Sequence, residues 1–442
     1  MLLRFYMRKL RMPAISGLIP ASAVTLLLLL TAPSPLTAYD YPVINPYAAT
    51  IVGTPTALKA RAPEKIREKE MLIPPLKGRE IPDVFWYQHG MKYSLAYQKE
   101  KAPLIFIIAG TGANYKSSTM DGLKRSFYNA GFHVVSLTSP TYMDFIVNRS
   151  TSGMPGVMRE DAEDIYSAMK LVWSQIQQIV GVSDFYLAGY SLGGAHSAFI
   201  ARLDDEVRFF NFKKVLMINP PVNLYSSMKL IDSMLADNLH EGLENLDNYF
   251  ESTMKKFSRI YQQSNNLAMN SDFIYSLYRE MKPDDREMQS LIGISFRFFA
   301  ANMIFTADVM NNAGYIVPEG KKLSSTSSTT DYFKVATQIN FSDYVDELFY
   351  PFFKKRHPEI TKEKLIQDQS LESIREYLAS TDKIGVFTNA DDPILDRQAL
   401  DFLITVFGKR ARIYPHGGHI GNIDYNENVS DMIAFFVEGG GK

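Results

Sequence analysis

Residues 185–199 read FYLAGYSLGGAHSAF, an apolar run that passes through Gly189, Ser191 and Gly193 into a segment of helical character. A serine on so tight a corner projects its hydroxyl clear of the backbone, which is how a G-x-S-x-G turn presents a nucleophile. Spacing alone is a weak signal, since at ordinary glycine usage about one chain in ten of this length carries such a match by chance. The setting is what the chemistry requires. An apolar strand is followed at once by a helix, the serine must accept a strained backbone, and Gly189 and Gly193 let strand and helix approach.

A hydroxyl attacks only if a base takes its proton, and that base must be held in one tautomer by a third group. Two histidines compete for the role in YPHGGHIGN, residues 414–422. His419 lies in the loop after the last predicted strand, with glycines around it that let the ring turn toward the serine, and is the preferred base. His416 is the alternate, expected otherwise to pack or bond locally at the strand end. His196, one turn beyond the serine, is expected to pack within its helix. The orienting acid should leave the end of the preceding strand, where NADDP at 389–393 offers two aspartates. Asp392, directly before Pro393, is preferred; Asp391 is the alternate and would otherwise cap the next helix. The chain order is then serine, acid, histidine.

These groups need a scaffold. APLIFIIAG (102–110), FHVVSLTSP (132–140), DFYLAGYS (184–191), KKVLMINPP (213–221) and KIGVFTNADDP (383–393) read as buried strands, and ARIYP opens a last one. Helical stretches lie between them, at 118–129, 159–180, after Ser191, at 396–408 and toward the end. Such alternation predicts an α/β fold, a mostly parallel sheet with helices on both faces. VFWYQHG and MKYSLAYQ predict a hairpin before it, and residues 39–80, rich in proline and charge, predict an extended arm. The alternation stops after Pro221 and resumes near residue 384. The interval 222–383 is too long for a loop and helical in pattern, apart from the Ser/Thr-rich run SSTSSTT, so it predicts an inserted helical cap.

Composition sets the class. The 442 residues are 46% hydrophobic, enough for a sizeable core, and 47 basic against 48 acidic residues leave a net charge of −1, which excludes a field that would gather nucleic acid. Arg4, Arg8, Lys9 and Arg11 precede an uncharged run from Ala14 to Ala32, and small residues follow a PSP break. That order predicts a secretory signal cleaved after Ala38 and export, most simply to a bacterial periplasm; a retained membrane anchor is the alternative. With no cysteine there is no disulfide, lipid-anchor or thiolate metal site.

GYSLGG, NADDP and GGHIGN, in that order, resemble the α/β-hydrolase superfamily over residues 80–221 and 384–442. The resemblance implies backbone donors for the oxyanion of a tetrahedral intermediate. One is the N–H of Leu192; the second comes from AGTGAN after the third strand, with Thr111 first and Gly112 as alternate. Ala109 departs from the histidine common there. It further implies an exported serine hydrolase that cleaves a small-molecule or lipid-like ester through an acyl-enzyme, with no metal or organic cofactor. The methionines and aromatics of MKLIDSML, SFRFFAANMIF and ELFYPFF suit either an apolar pocket, open to transient membrane association, or simply the cap's own core. A peptidase or thioesterase could use the same parts. So could a non-catalytic binding or scaffold protein of the cell envelope keep the same fold.

Overall fold

Short apolar runs, buried on both sides, form the centre of a single eight-stranded sheet. The computed structural model describes residues 39–238 and 271–437, and the signal stretch expected over residues 1–38 lies outside them. The strands are β1 (Glu68–Ile73), β2 (Met91–Ala96), β3 (Ala102–Ile108), β4 (His133–Leu137), β5 (Val182–Tyr190), β6 (Val215–Ile218), β7 (Ile384–Asn389) and β8 (Ala411–Tyr414). Their spatial order is β1-β2-β4-β3-β5-β6-β7-β8. β2 runs antiparallel to both β1 and β4, and every pair from β4 to β8 is parallel. Every residue of β4, β6 and β7 is buried, as a parallel sheet covered on both faces demands.

Eight helices position the site or pack around it: α1 (Pro46–Val52), α2 (Ser118–Asn129), α3 (Met158–Ile176), α4 (Leu192–Val207), α5 (Leu224–Ala236), α6 (Asp285–Asn311), α7 (Arg397–Phe407) and α8 (Asn426–Val437). Leu104, Phe106 and Ile108 of β3 share one apolar cluster with Ile165 and Val172 of α3 and Ala198 of α4. The alternating Ile105 and Ile107 are also buried but fall outside that cluster, because successive strand residues face opposite layers. In the other layer Phe436 of α8 meets Phe127 of α2 edge-on, with ring centres 5.6 Å apart.

Two expectations for the N-terminal part are corrected. Residues 39–80 are not simply extended, since they contain α1 and β1. VFWYQHG is not a strand either: Asp83–Phe85 form one 3₁₀ turn, and β2 finds its antiparallel partner in β1. β1 reads EKEMLI with only Ile73 buried. An edge strand tolerates and even profits from charge, so it shows no apolar run to betray it.

From Tyr41 onward the described residues form one compact unit. Within the interval 222–383 the described segments are helical, and most of the apolar side chains weighed as a pocket fill a second core. Ala300, Ala301, Met303, Ile304 and Phe305 of α6 pack with Tyr344, Leu348, Phe349 and Phe353, and with Ile146, Val147 and Ile394 from the sheet side. α6 is the one helix among the described residues long and apolar enough to cross a bilayer, yet 67% of its most apolar stretch is buried within the protein.

β5 passes into α4 at Ser191 with almost no space to spare. A Cβ at position 193 would run into the carbonyl oxygens of Ile108 and Ala109, which are backbone atoms and cannot swing aside. Gly193→Ala should therefore destabilise the fold by about 1–3 kcal/mol or more, read as a lowered midpoint in chemical denaturation. An unchanged midpoint would contradict this packing.

Candidate active site

Ser191 stands at φ 53° and ψ −129°, a backbone conformation that side chains other than glycine seldom adopt. The surrounding structure enforces it: the Ser191 N–H donates to the Ile218 carbonyl at 2.8 Å, and the Gly194 N–H donates to the Ser191 carbonyl at 2.9 Å. The corner lifts Oγ above the C-terminal edge of the sheet at the start of α4, whose dipole favours negative charge there.

The structure brings His419 to this serine. Its Nε2 lies 2.9 Å from Ser191 Oγ, and its Nδ1 lies 3.0 and 3.1 Å from the two carboxylate oxygens of Asp392. Nδ1 donating to that carboxylate leaves Nε2 free to accept, the tautomer a base requires. All three residues are buried. The Asp392 side chain has no exposed surface, and a carboxylate so buried needs its oxygens satisfied. Beyond the imidazole, Asn219 Nδ2 donates to Oδ2 at 2.8 Å and the Ile394 N–H donates to Oδ1 at 3.1 Å. Asn219, missed in the sequence, sits at φ 45° where β6 ends. Its only trace there is a polar residue closing an apolar strand just before Pro220-Pro221.

The alternates go elsewhere. His416 Nε2 lies 2.7 Å from the Tyr41 carbonyl, a partner 375 residues away in sequence and so not the local bond expected. Asp391 does not cap α7, which is capped by Asp396 through the Ala399 N–H. Instead its carboxylate accepts from the Gly417 and Gly418 N–H groups at 3.2 and 2.9 Å, tying down the His419 loop. Burial pushes the Asp391 carboxyl above the usual carboxylate range, and those two N–H groups pull it part of the way back. His196 is fully buried, 3.6 Å from Asp161, with no hydrogen bond to either ring nitrogen among the described residues.

The same loop is gripped from the N-terminal side, by residues whose types carry no hint of a role. The His419 N–H donates to Thr50 Oγ at 2.8 Å, and that hydroxyl donates to the Pro46 carbonyl at 2.7 Å. Tyr41 and Thr54 each donate to the Gly421 carbonyl at 3.0 Å. Gly418, at φ 59°, admits α1 because a Cβ there would strike the Pro46 carbonyl oxygen. Across the site, Asn389 Nδ2 donates to the Gly418 carbonyl at 2.6 Å and pairs with Asn422.

As the first residue of α4, Leu192 has an N–H with no acceptor inside the helix. The Thr111 N–H has no protein acceptor among the described residues. Both residues line a space on Ser191. Gly112 is excluded as the second donor, because its N–H is committed to Thr141 Oγ at 2.9 Å. Among the described residues no cluster of three or more potential metal ligands occurs.

This strand order, with a strained serine between β5 and α4 and its acid and histidine after β7 and β8, defines the architecture. The fold is that of the α/β-hydrolases. No family model and no curated protein sequence matches the chain. Solved structures similar to it include the esterase Est1E from Butyrivibrio proteoclasticus (12% identity, 79% of this chain and 95% of that one, TM-score 0.36). Others are an esterase from Pyrobaculum calidifontis (15%, 95% and 97%, TM-score 0.40) and carboxyl esterase 2 from Tuber melanosporum (14%, 96% and 97%, TM-score 0.38). The fold assignment rests on the strand order and the corner, not on these distant likenesses.

Thr50→Val removes the acceptor of the His419 N–H while keeping the side chain's shape. It should lower kcat about tenfold or more toward any ester the protein turns over, with KM little changed, because a base displaced by a fraction of an ångström transfers its proton poorly. Thr50→Ser should restore most of the loss. Equal rates for all three proteins would remove α1 from the account of how His419 is held.

Proposed function

We propose that this protein is an exported serine hydrolase that cleaves uncharged carboxylic esters through an acyl-enzyme. The observation that carries the reading is the buried chain of hydrogen bonds from Ser191 Oγ through His419 to Asp392, mounted on a strained corner. The export part rests on the N-terminal sequence alone.

In this mechanism His419 Nε2 takes the Ser191 proton as Oγ attacks the carbonyl carbon. The electron pair of the carbonyl moves to its oxygen, which the Leu192 and Thr111 N–H groups stabilise. Asp392 holds the imidazolium and stays ionised. Collapse of the tetrahedral intermediate breaks the bond to the alcohol oxygen, which leaves with the proton from Nε2. Water, deprotonated by the same nitrogen, then attacks the acyl-enzyme and releases the acid and Ser191. No metal or organic cofactor enters any step. Loss of one oxyanion donor in such a site costs about 10²–10³ in rate, roughly 3–4 kcal/mol.

Reaction with a fluorophosphonate probe tests the assignment. Labelling that disappears in Ser191→Ala is expected, whereas folded protein that takes up no label would speak for a binding protein on the same fold. Ser191→Ala and His419→Ala should each lower kcat by several orders of magnitude, and the double variant by little more than either alone. Additive losses would mean that the two side chains do not work as one unit.

A further inference from the structure

We infer that the ester cleaved here joins a short acyl group to a bulky uncharged alcohol. The inference rests on the hydrolase reading above and assigns each half of the substrate to one of two spaces that meet at Ser191.

Both spaces are lined by Ser191 and Thr111, but they differ in what else reaches them. One, the more enclosed of the two, lies beneath the inserted helices, includes Leu192, and is mostly apolar, with Met228, Ile231, Met303 and Phe341 in its wall beside Thr141 and Ser227. The other is an open cleft that includes His419. The protein's own chemistry decides which half goes where. The leaving oxygen must come within hydrogen-bond reach of His419 Nε2 to receive its proton, so the alcohol extends into the space that His419 lines. At the tetrahedral carbon one direction is taken by Ser191 Oγ, one by the oxyanion facing Leu192 and Thr111, and one by the leaving oxygen. The remaining substituent, the acyl chain, is directed away from His419 into the enclosed space.

The volumes then set the sizes. The enclosed space measures about 30 Å³ and the cleft about 580 Å³. The acyl side is thus about one-twentieth of the cleft, which favours a short acyl group over a long chain. Its walls resist enlargement, because Ile231, Met303 and Phe341 belong to the second apolar core and are buried. The insertion's apolar residues therefore close the acyl side instead of forming a channel for a lipid tail.

The cleft has a different lining. Thr50, Ser117 and Thr119 contribute polar side chains to its wall, and Leu291, Phe299 and Ile420 contribute apolar surface. Among the described residues no Asp, Glu, Lys or Arg lines either space. A neutral, largely apolar alcohol suits it. A thioester on a polyanionic carrier does not.

Two substrate series on the purified protein test this, with kcat/KM as the readout. In 4-nitrophenyl esters, where only the acyl group changes, octanoate should be poorer than acetate by about 100-fold or more, since single methylenes at a filled site weigh about 10-fold and upward. In alkyl acetates of similar alcohol basicity, cyclohexylmethyl acetate should equal or exceed ethyl acetate. Met228→Ala, and independently Leu224→Ala, which also lines the acyl side, should raise the octanoate-to-acetate ratio of kcat/KM about tenfold or more. Octanoate within about threefold of acetate, or an acyl profile unmoved in both folded variants, overturns the inference. Labelling of Ser191 by a fluorophosphonate without turnover of any of these esters overturns it too and leaves the hydrolase reading standing. Absence of both labelling and turnover overturns that reading as well.

Discussion

A carboxylate with no solvent around it has to be given partners, and Asp392 is where that requirement shapes the molecule. Removing one partner from a buried charge typically costs about 3–5 kcal/mol, so each group that serves Asp392 is fixed by more than its role in chemistry. The imidazole of His419 meets both oxygens, the Asn219 amide comes from the end of β6, and the Ile394 N–H comes from the turn after Pro393. Three parallel elements must therefore end at the same height on the sheet edge. The serine gains from this arrangement indirectly, because an imidazole oriented by a satisfied carboxylate presents one nitrogen, in one tautomer, to Oγ.

Strain is concentrated at the same edge. Ser191, Asn219 and Ile420 hold φ values of 53°, 45° and 55°. Ile420 stands out, since a β-branched side chain at positive φ is rarely tolerated. Each such residue costs on the order of 1–3 kcal/mol and persists only where its surroundings over-determine it. Around Ile420 the surroundings are evident: His419 is held through its backbone by Thr50, Gly421 by Tyr41 and Thr54, and Gly418 by Asn389. Segment 41–54 thus acts as the far jaw of a clamp whose near jaw is the β7 end.

The legibility of each residue depends on what it shows to its sequence neighbours. Buried parallel strands are continuous apolar runs, so β3 to β7 stood out, and the elbow could be recognised because its glycines are forced by close approach. Asp392 and His419 could be singled out because a strand-end acid and a glycine-flanked histidine are the residue types the chemistry demands. β1 was hidden because an edge strand keeps its charges. Asp391 and Asp392 look alike in sequence as candidate acids, and only the fold shows that one faces the imidazole while the other meets the Gly417 and Gly418 N–H groups. Thr50 carried no signal at all: a threonine within PYAATIV is an ordinary helix residue until the C-terminal loop arrives beside it. Gly112 fell out for a similar reason, its N–H being claimed by Thr141 from another loop.

The inserted segment shows the limit of composition most sharply. Methionine and phenylalanine are favoured in an adaptable pocket and in a well-filled core for the same reason, their large apolar area, so a sequence rich in them is equally consistent with either. Packing separates the two, because Ile231, Met303 and Phe341, which wall the smaller space at Ser191, also belong to one core with Ile146, Val147 and Ile394 on the sheet side. Sealing has an electrostatic consequence. With mostly apolar walls and no charged side chain lining the smaller space among the described residues, the field of the Leu192 and Thr111 N–H dipoles is less screened there than in water, and in the proposed reaction it would act on the developing oxyanion. In the proposed ester cleavage, the packing that narrows this space would also strengthen the stabilisation of the oxyanion.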